Sequence, residues 1–181
     1  MACRIEVVEY NPDWENQFKA LAESIWPVVS EYAARIEHVG STSIKGLWAK
    51  PIIDIDILVD SCEKLKSVIV ALAKLGYTHI GDLGIEGREA FENPPCDIKH
   101  HLYVCIDGCL SYKNHLILRN HLRKNEIDRR RYTQLKRNLA KIHSEDIDLY
   151  IERKTEFILS ILKQYKITDN ELTSIRLANK K

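Results

Sequence analysis

Apolar and polar positions change period several times along the chain, and each change marks an element. Residues 4–9 alternate and are partly β-branched, which predicts a short strand. Asn11-Pro12-Asp13 turns the chain into a helix whose apolar positions Trp14, Phe18, Leu21, Ile25, Val28 and Tyr32 keep helical spacing, with a kink or split expected at Pro27. Residues 35–39 read as a second strand, stopped by Gly40-Ser41-Thr42-Ser43, and residues 52–59 carry the strongest strand pattern of the chain. Ser61 caps the next helix, striped by Leu65, Val68, Ile69, Leu72 and Leu75 and ended by Gly76. A short strand is expected over residues 77–80, a long loop or hairpin over the Gly-, Pro- and charge-rich residues 81–99, and a last strand over residues 100–106. Beyond Gly108 the period is helical, over about 111–124, 126–143 and 145–165, while residues 166–181 show little periodicity and are expected to fray in part. The fold class is therefore α+β, with a strand-rich part over 1–110, a helical extension over 111–165 and a tail.

At 181 residues the chain is long enough for about one domain, and 45% hydrophobic with 29% charged residues excludes disorder, collagen and a membrane bundle. No apolar run reaches the ~18 residues needed to cross a bilayer, and the first residues lack a signal peptide's apolar stretch. Five cysteines (Cys3, Cys62, Cys96, Cys105, Cys109) with no Cys-x-x-Cys pair argue against a zinc knuckle or disulfide framework and for reduced thiols in a cytoplasmic protein. Charge is uneven: residues 113–141 hold ten Lys or Arg against two acids, a local +8 within a net +1, which leaves −7 for the rest.

The chemistry centres on Ile52-Ile53-Asp54-Ile55-Asp56-Ile57-Leu58-Val59. Alternation along a strand puts Ile53, Ile55, Ile57 and Val59 on one face, which must be core, and Asp54 with Asp56 on the other, roughly 6–7 Å apart. Carboxylates that close repel unless a cation lies between them, and hard divalent ions such as Mg²⁺ or Mn²⁺ favour such oxygens. The alternative, an exposed strand with two solvated acids, fits poorly with so apolar a partner face. Upstream, Gly40 permits close backbone approach to a ligand, and Ser41 offers a hydroxyl and amide to phosphate oxygens.

Val39-Gly40-Ser41 followed at twelve residues by Asp54-Ile55-Asp56-Ile57 resembles the signature of the nucleotidyltransferase (polymerase-beta-like) superfamily. Residues 36–43, Gly46-Leu47-Trp48-Ala49-Lys50-Pro51, Gly84-Ile85-x-Gly87-Arg88-x-x-Phe91, His100-His101-Leu102, Leu118-Arg119-Asn120-His121-Leu122-Arg123, Tyr132-x-x-Leu135-Lys136 and Lys154 are similar to the hallmark of the GrpB family, over residues 4–163. The resemblance implies a nucleotidyltransferase-like mixed sheet packed on helices, with a C-terminal helical extension. It implies a divalent-metal-dependent transfer from a nucleoside triphosphate: Asp54 and Asp56 as catalytic metal ligands, and Gly40, Ser41 and Thr42 gripping phosphates. Two departures stand out. Superfamily enzymes carry a third carboxylate on a neighbouring strand, whereas here the open face offers His101, Tyr103 and Cys105; many relatives also have His where this chain has Tyr103. His101 is thus a candidate ligand or general base.

Basic residues suit a polyanion. Lys50 precedes the Asp strand, Arg88 offers a fork for bidentate phosphate contact, and Lys154 sits within the apolar stripe of the last helix, either snorkelling or entering a polar site. Arg119 and Arg123 share a helical face and are candidate acceptor ligands. The run Arg129-Arg130-Arg131 with Lys136, Arg137 and Lys141 is either a solvated face or a contact for RNA or a polyphosphate. Set against the transferase is a non-catalytic nucleotide- or metal-binding accessory module, motivated by the missing carboxylate and by family members fused to dephospho-coenzyme A kinase. A metal phosphohydrolase using His101 as base is a third reading.

Overall fold

A computed structural model describes residues 4–179; Cys3 and the last two residues of the tail lie outside them. Among the described residues a five-stranded sheet is ordered β1-β2-β5-β4-β3, with β1 Arg35–Val39, β2 Ile53–Val59, β3 Thr78–Gly81, β4 Arg88–Glu92 and β5 His100–Ile106. Only the central β2–β5 pair is parallel; β1–β2, β5–β4 and β4–β3 are antiparallel. The helices are α1 Asp13–Val29, α2 Cys62–Ala73, α3 Leu110–Lys124, α4 Glu126–Ile142, α5 Ile147–Leu162 and α6 Asp169–Ala178.

One sheet face is apolar, as the alternation requires. Ile53, Ile55, Ile57 and Val59 are joined by Leu102 and Val104, all at most 1% exposed, and pack against Trp14, Leu21, Ile25 and Val29 of α1 and Val68 and Leu72 of α2. At ~1.5–3 kcal/mol per fully buried aliphatic side chain, this face alone holds the register, because a one-residue slip would bury the aspartates instead. The opposite face carries Asp54 level with His101 and Asp56 level with Tyr103. A second core joins the helices to the β1–β2 connection: Ile44 and Leu47 pack with Leu122, Tyr132, Ile158 and Leu162.

Three local expectations change, and the structure decides between two alternatives at a fourth place. Residues 4–9 form no strand: Val8 pairs with Ala49 through two backbone bonds of 2.9 and 3.0 Å, while Ile5 is drawn away by its amide bond to Ser144 at 2.7 Å and by packing on Leu139 and Tyr150. α1 runs unbroken through Pro27, which lies two residues before its end, where a missing amide removes one bond of the last turn. The stretch 81–99 is the hairpin reading, with β4 inserted between β3 and β5. Where the pattern suggests a fraying tail, α6 forms; Thr168 and Glu171 cap it reciprocally, and Leu172 and Ile175 are buried in the second core. Two apolar positions on one short helix suffice for docking but leave almost no periodicity.

Candidate functional site

The polar face of β2 and β5 forms the floor of a cavity of about 300 Å³, roofed by α3, α4 and α5. Gly40 fixes its edge. Its φ is +66°, and a Cβ there would lie 2.0 Å from Asp54 Oδ2, so only glycine lets the backbone lie against that carboxylate. Ser41–Ser43 follow as a single 3-10 turn. The Thr42 hydroxyl donates to the Ile52 carbonyl at 3.2 Å and accepts from His38 Nε2 at 3.0 Å, tying the turn to the start of β2. The Ser43 hydroxyl donates to the Gly40 carbonyl at 2.7 Å.

Each aspartate carries a histidine. His101 Nδ1 lies 2.8 Å from Asp54 Oδ1, and His115 Nδ1, from α3, lies 2.7 Å from Asp56 Oδ2. Carboxylates accept only, so both Nδ1 atoms donate, which in a neutral ring leaves Nε2 as acceptor. Asp54 is the open one of the pair, with 29% of its side chain exposed; Asp56 is fully buried, and its Oδ1 has no hydrogen-bond partner. Burial works to raise the Asp54 carboxyl, but the hydrogen bond and charge of His101, with His115 and Lys154, hold it below the usual carboxylate range. Burial disfavours the His115 imidazolium, yet the Asp56 carboxylate outweighs it and leaves the pKa raised.

The walls are cationic. Lys136 of α4, 2% exposed, donates to Ser41 Oγ at 3.0 Å and to the Trp48 carbonyl, and among the described residues no carboxylate pairs with it. Burial and the neighbouring Lys154 charge push its pKa well down, against the pull of Asp54. Lys154 enters from α5 over the Tyr150 ring at 5.5 Å; burial lowers it too. Lys50, Arg88 and Arg119 complete the wall. Arg88 stacks on Tyr103 at 4.6 Å and leaves Nε buried without a partner. Arg119 is already engaged, donating to Glu37 Oε2 at 2.8 Å and the His38 carbonyl at 2.9 Å.

Of the residues singled out in the sequence, Gly40, Ser41, Lys50, Asp54, Arg88, His101, Arg119 and Lys154 therefore meet around one cavity. Thr42 and Arg123 do not line it. The Thr42 hydroxyl is consumed inside the turn, and Arg123 clamps the Ser43 carbonyl through Nε at 3.2 Å and Nη2 at 2.8 Å. Asp56 lies behind His115 rather than in the open cavity. The basic run disperses: Arg129 donates to the Leu122 carbonyl at 3.1 Å, Arg130 and Arg131 pair with Glu126 and Asp128, Arg137 stacks on Trp48, and Lys136 points inward. His100 faces away and is held between Ile98 and Tyr77.

His115, Glu37 and the inward position of Lys136 are absent from the sequence reading of the site. Lys136 had a signal, since it lies four residues after Tyr132 and three before Leu139, inside the buried stripe of α4. Glu37 is a third carboxylate on the polar face, level with Asp56, but on β1 rather than β5. His115 had no such signal, because only the α3–sheet crossing brings it to Asp56.

Among the described residues no group of three or more His, Cys, Asp or Glu side chains is gathered as a ready metal cage. The donor chemistry still suits a hard divalent ion: two carboxylates on one strand face, one with a buried oxygen that nothing satisfies.

A family model described as GrpB protein matches residues 4–164. A relative from Bacillus subtilis, UPF0157 protein YqkA, is 34% identical over 155 residues, covering 86% of this chain; the chain spans only 45% of that relative's length. A dephospho-CoA kinase of Mycolicibacterium paratuberculosis is 22% identical over 175 residues, covering 83% of this chain and 43% of the kinase. The crystal structure of GrpB from Enterococcus faecalis superposes with a TM-score of 0.77 at 33% identity, covering 88% of this chain and 99% of that one. A cytoplasmic RNA terminal U-transferase shares the fold, with a TM-score of 0.56 at 11% identity over 84% of this chain and 47% of its own. The fold is thus a nucleotidyltransferase-like α+β sheet, and with the model match spanning most of its length the chain belongs to the GrpB family.

Proposed function

We propose that the chain binds a nucleoside triphosphate with Mg²⁺ or Mn²⁺ and transfers its nucleotidyl group to an acceptor hydroxyl. The observation that carries this reading is a pair of inward-facing lysines, Lys136 buried and Lys154 half-buried. Lys136 and Lys154 face a carboxylate floor, and among the described residues neither is ion-paired with an acid, an arrangement costly in the empty protein and relieved by a phosphate chain. Asp54 and Asp56 would hold the metal, Asp56 through its unpartnered Oδ1; bound there, the ion would offset negative charge on the phosphates. The Gly40–Ser43 turn grips phosphate through backbone and the Ser41 hydroxyl, and Lys136 orients that hydroxyl. In the transfer, the acceptor oxygen bonds to the α-phosphorus while the bond from that phosphorus to the bridging oxygen breaks. Pyrophosphate leaves with the electron pair, and the hydroxyl proton passes to His101 Nε2. Asp54 holds that ring by Nδ1, as a base must be held.

Calorimetric titration with each nucleoside triphosphate and Mg²⁺ tests this. Binding is expected with the wild type and lost by at least about a hundredfold in Asp54→Asn; equal binding by both proteins contradicts it. Tyr103 stands beside Asp56 where β5 would need a carboxylate, and this favours the second reading, a binding module without turnover. Pyrophosphate release above that of an Asp54→Asn, Asp56→Asn double variant supports transfer; binding without release supports the module.

A further inference from the structure

A second cavity, of about 740 Å³, opens beside the first between the loop before β4, the start of α3, and α6. It is within the size range of small-molecule sites. The two share Arg88, Asn114, His115 and Asn179, so a ligand in one borders a ligand in the other. Their charge is opposite in kind. The first is walled by Lys50, Arg88, Arg119, Lys136 and Lys154; among the described residues the second adds no Lys or Arg beyond the shared Arg88 and contributes Glu86 and Asp107. At the junction, Arg88 Nε and Asn114 Oδ1 are buried and have no hydrogen-bond partner. One is a donor and the other an acceptor, and a ligand's hydroxyl can pair with either.

We propose that this second cavity takes the acceptor, and that the acceptor is a small hydroxyl-bearing molecule of neutral or positive charge rather than a polynucleotide or a phosphorylated metabolite. The inference rests on the triphosphate reading of the first cavity and adds the chemical class of the second substrate. A nucleic-acid acceptor needs a cationic track for its backbone. The second cavity supplies carboxylates instead, and the exposed arginines of α4 are paired with Glu126 and Asp128. Away from the shared Arg88 and His115, the Glu86 and Asp107 side of the cavity disfavours a second anion beside the triphosphate and favours an amine or a plain polyol.

Amide chemical shifts in the full chain separate the two sites. Triphosphate with Mg²⁺ reads on Gly40–Ser43; the acceptor class reads on Cys109–Ser111. Three probes are titrated: glucosamine, glucosamine 6-phosphate and a fifteen-residue oligoadenylate. Glucosamine is expected to shift the Cys109–Ser111 amides at concentrations at least about fivefold lower than its phosphate ester, and the oligonucleotide to leave them unmoved. Glu86→Lys with Asp107→Lys, which touches only the second cavity, is expected to weaken the glucosamine response about tenfold and leave the triphosphate response intact. A stronger response to the phosphate ester or the oligonucleotide overturns the proposal, as does a glucosamine response that survives charge reversal. Triphosphate shifts at Gly40–Ser43 with no glucosamine shifts at Cys109–Ser111 overturn the acceptor cavity alone. An absence of triphosphate shifts removes the triphosphate site, and the acceptor role with it.

Discussion

Lys136 sets the chemistry of the cavity at the scale of one side chain. The residue is 2% exposed, and its ammonium is satisfied by a serine hydroxyl and a backbone carbonyl, neither of which carries charge. Such a group destabilises the empty protein, and in the proposed reading it is held for the phosphate it binds. Lys136→Met keeps the length of the side chain and removes the charge. Its unfolding free energy in urea is expected to match or exceed that of the wild type, by up to about 1 kcal/mol, while triphosphate affinity falls at least about tenfold. A less stable variant with unchanged affinity would make Lys136 a structural residue instead. Gly40 is the complementary case: a missing side chain lets Asp54 Oδ2 lie against the backbone.

At the scale of elements, the β1–β2 connection depends on His38. The ring stacks on Phe18 at 4.7 Å between centroids and donates from Nε2 to Thr42, whose hydroxyl donates on to Ile52. Burial is the main cause of a His38 pKa lowered to about 4, with Asp54 pulling upward and Arg123 and Arg119 downward. The unfolded chain takes up this proton near pH 6.5 and the folded protein only near 4, so stability rises with pH across that window and is lost on acidification. The loss is up to about 3 kcal/mol. His38→Gln keeps a donor for Thr42 and cannot titrate, so its urea midpoint is expected to fall less between pH 7 and pH 4.5; identical slopes for the two proteins contradict the assignment. Elements whose period comes from one continuous apolar face, such as β2 and α2, were readable along the chain, and with them the Asp54–Asp56 pair. Residues 4–9 and α6 are not legible in the pattern because a few backbone bonds or two buried side chains decide them, and His115 is not because its partner is 59 residues away. Arg123 and Thr42 were placed on the ligand by residue type, yet backbone carbonyls of the turn and of β2's approach already claim them.

Over the whole molecule, the helical half supplies charge and the sheet supplies geometry. The net charge of +1 hides this division: the cations of residues 113–141 are partly turned inward, where Arg119 and Lys136 meet the acids of β1 and β2. The surface left behind holds arginines paired with their neighbours, and the field is concentrated in the cavity. In the reading proposed above, a GrpB chain built this way would hold a triphosphate in the cationic cavity, with a second cavity adjoining it through Arg88, Asn114, His115 and Asn179. Anomalous scattering from crystals soaked with Mn²⁺ and a triphosphate carrying a carbon bridge between α- and β-phosphorus tests the central claim most directly. The account predicts a manganese peak bound by Asp54 and Asp56, with phosphate oxygens against Ser41, Lys136 and Lys154. Bound nucleotide with no manganese at those aspartates, or nucleotide seated away from both lysines, would contradict it.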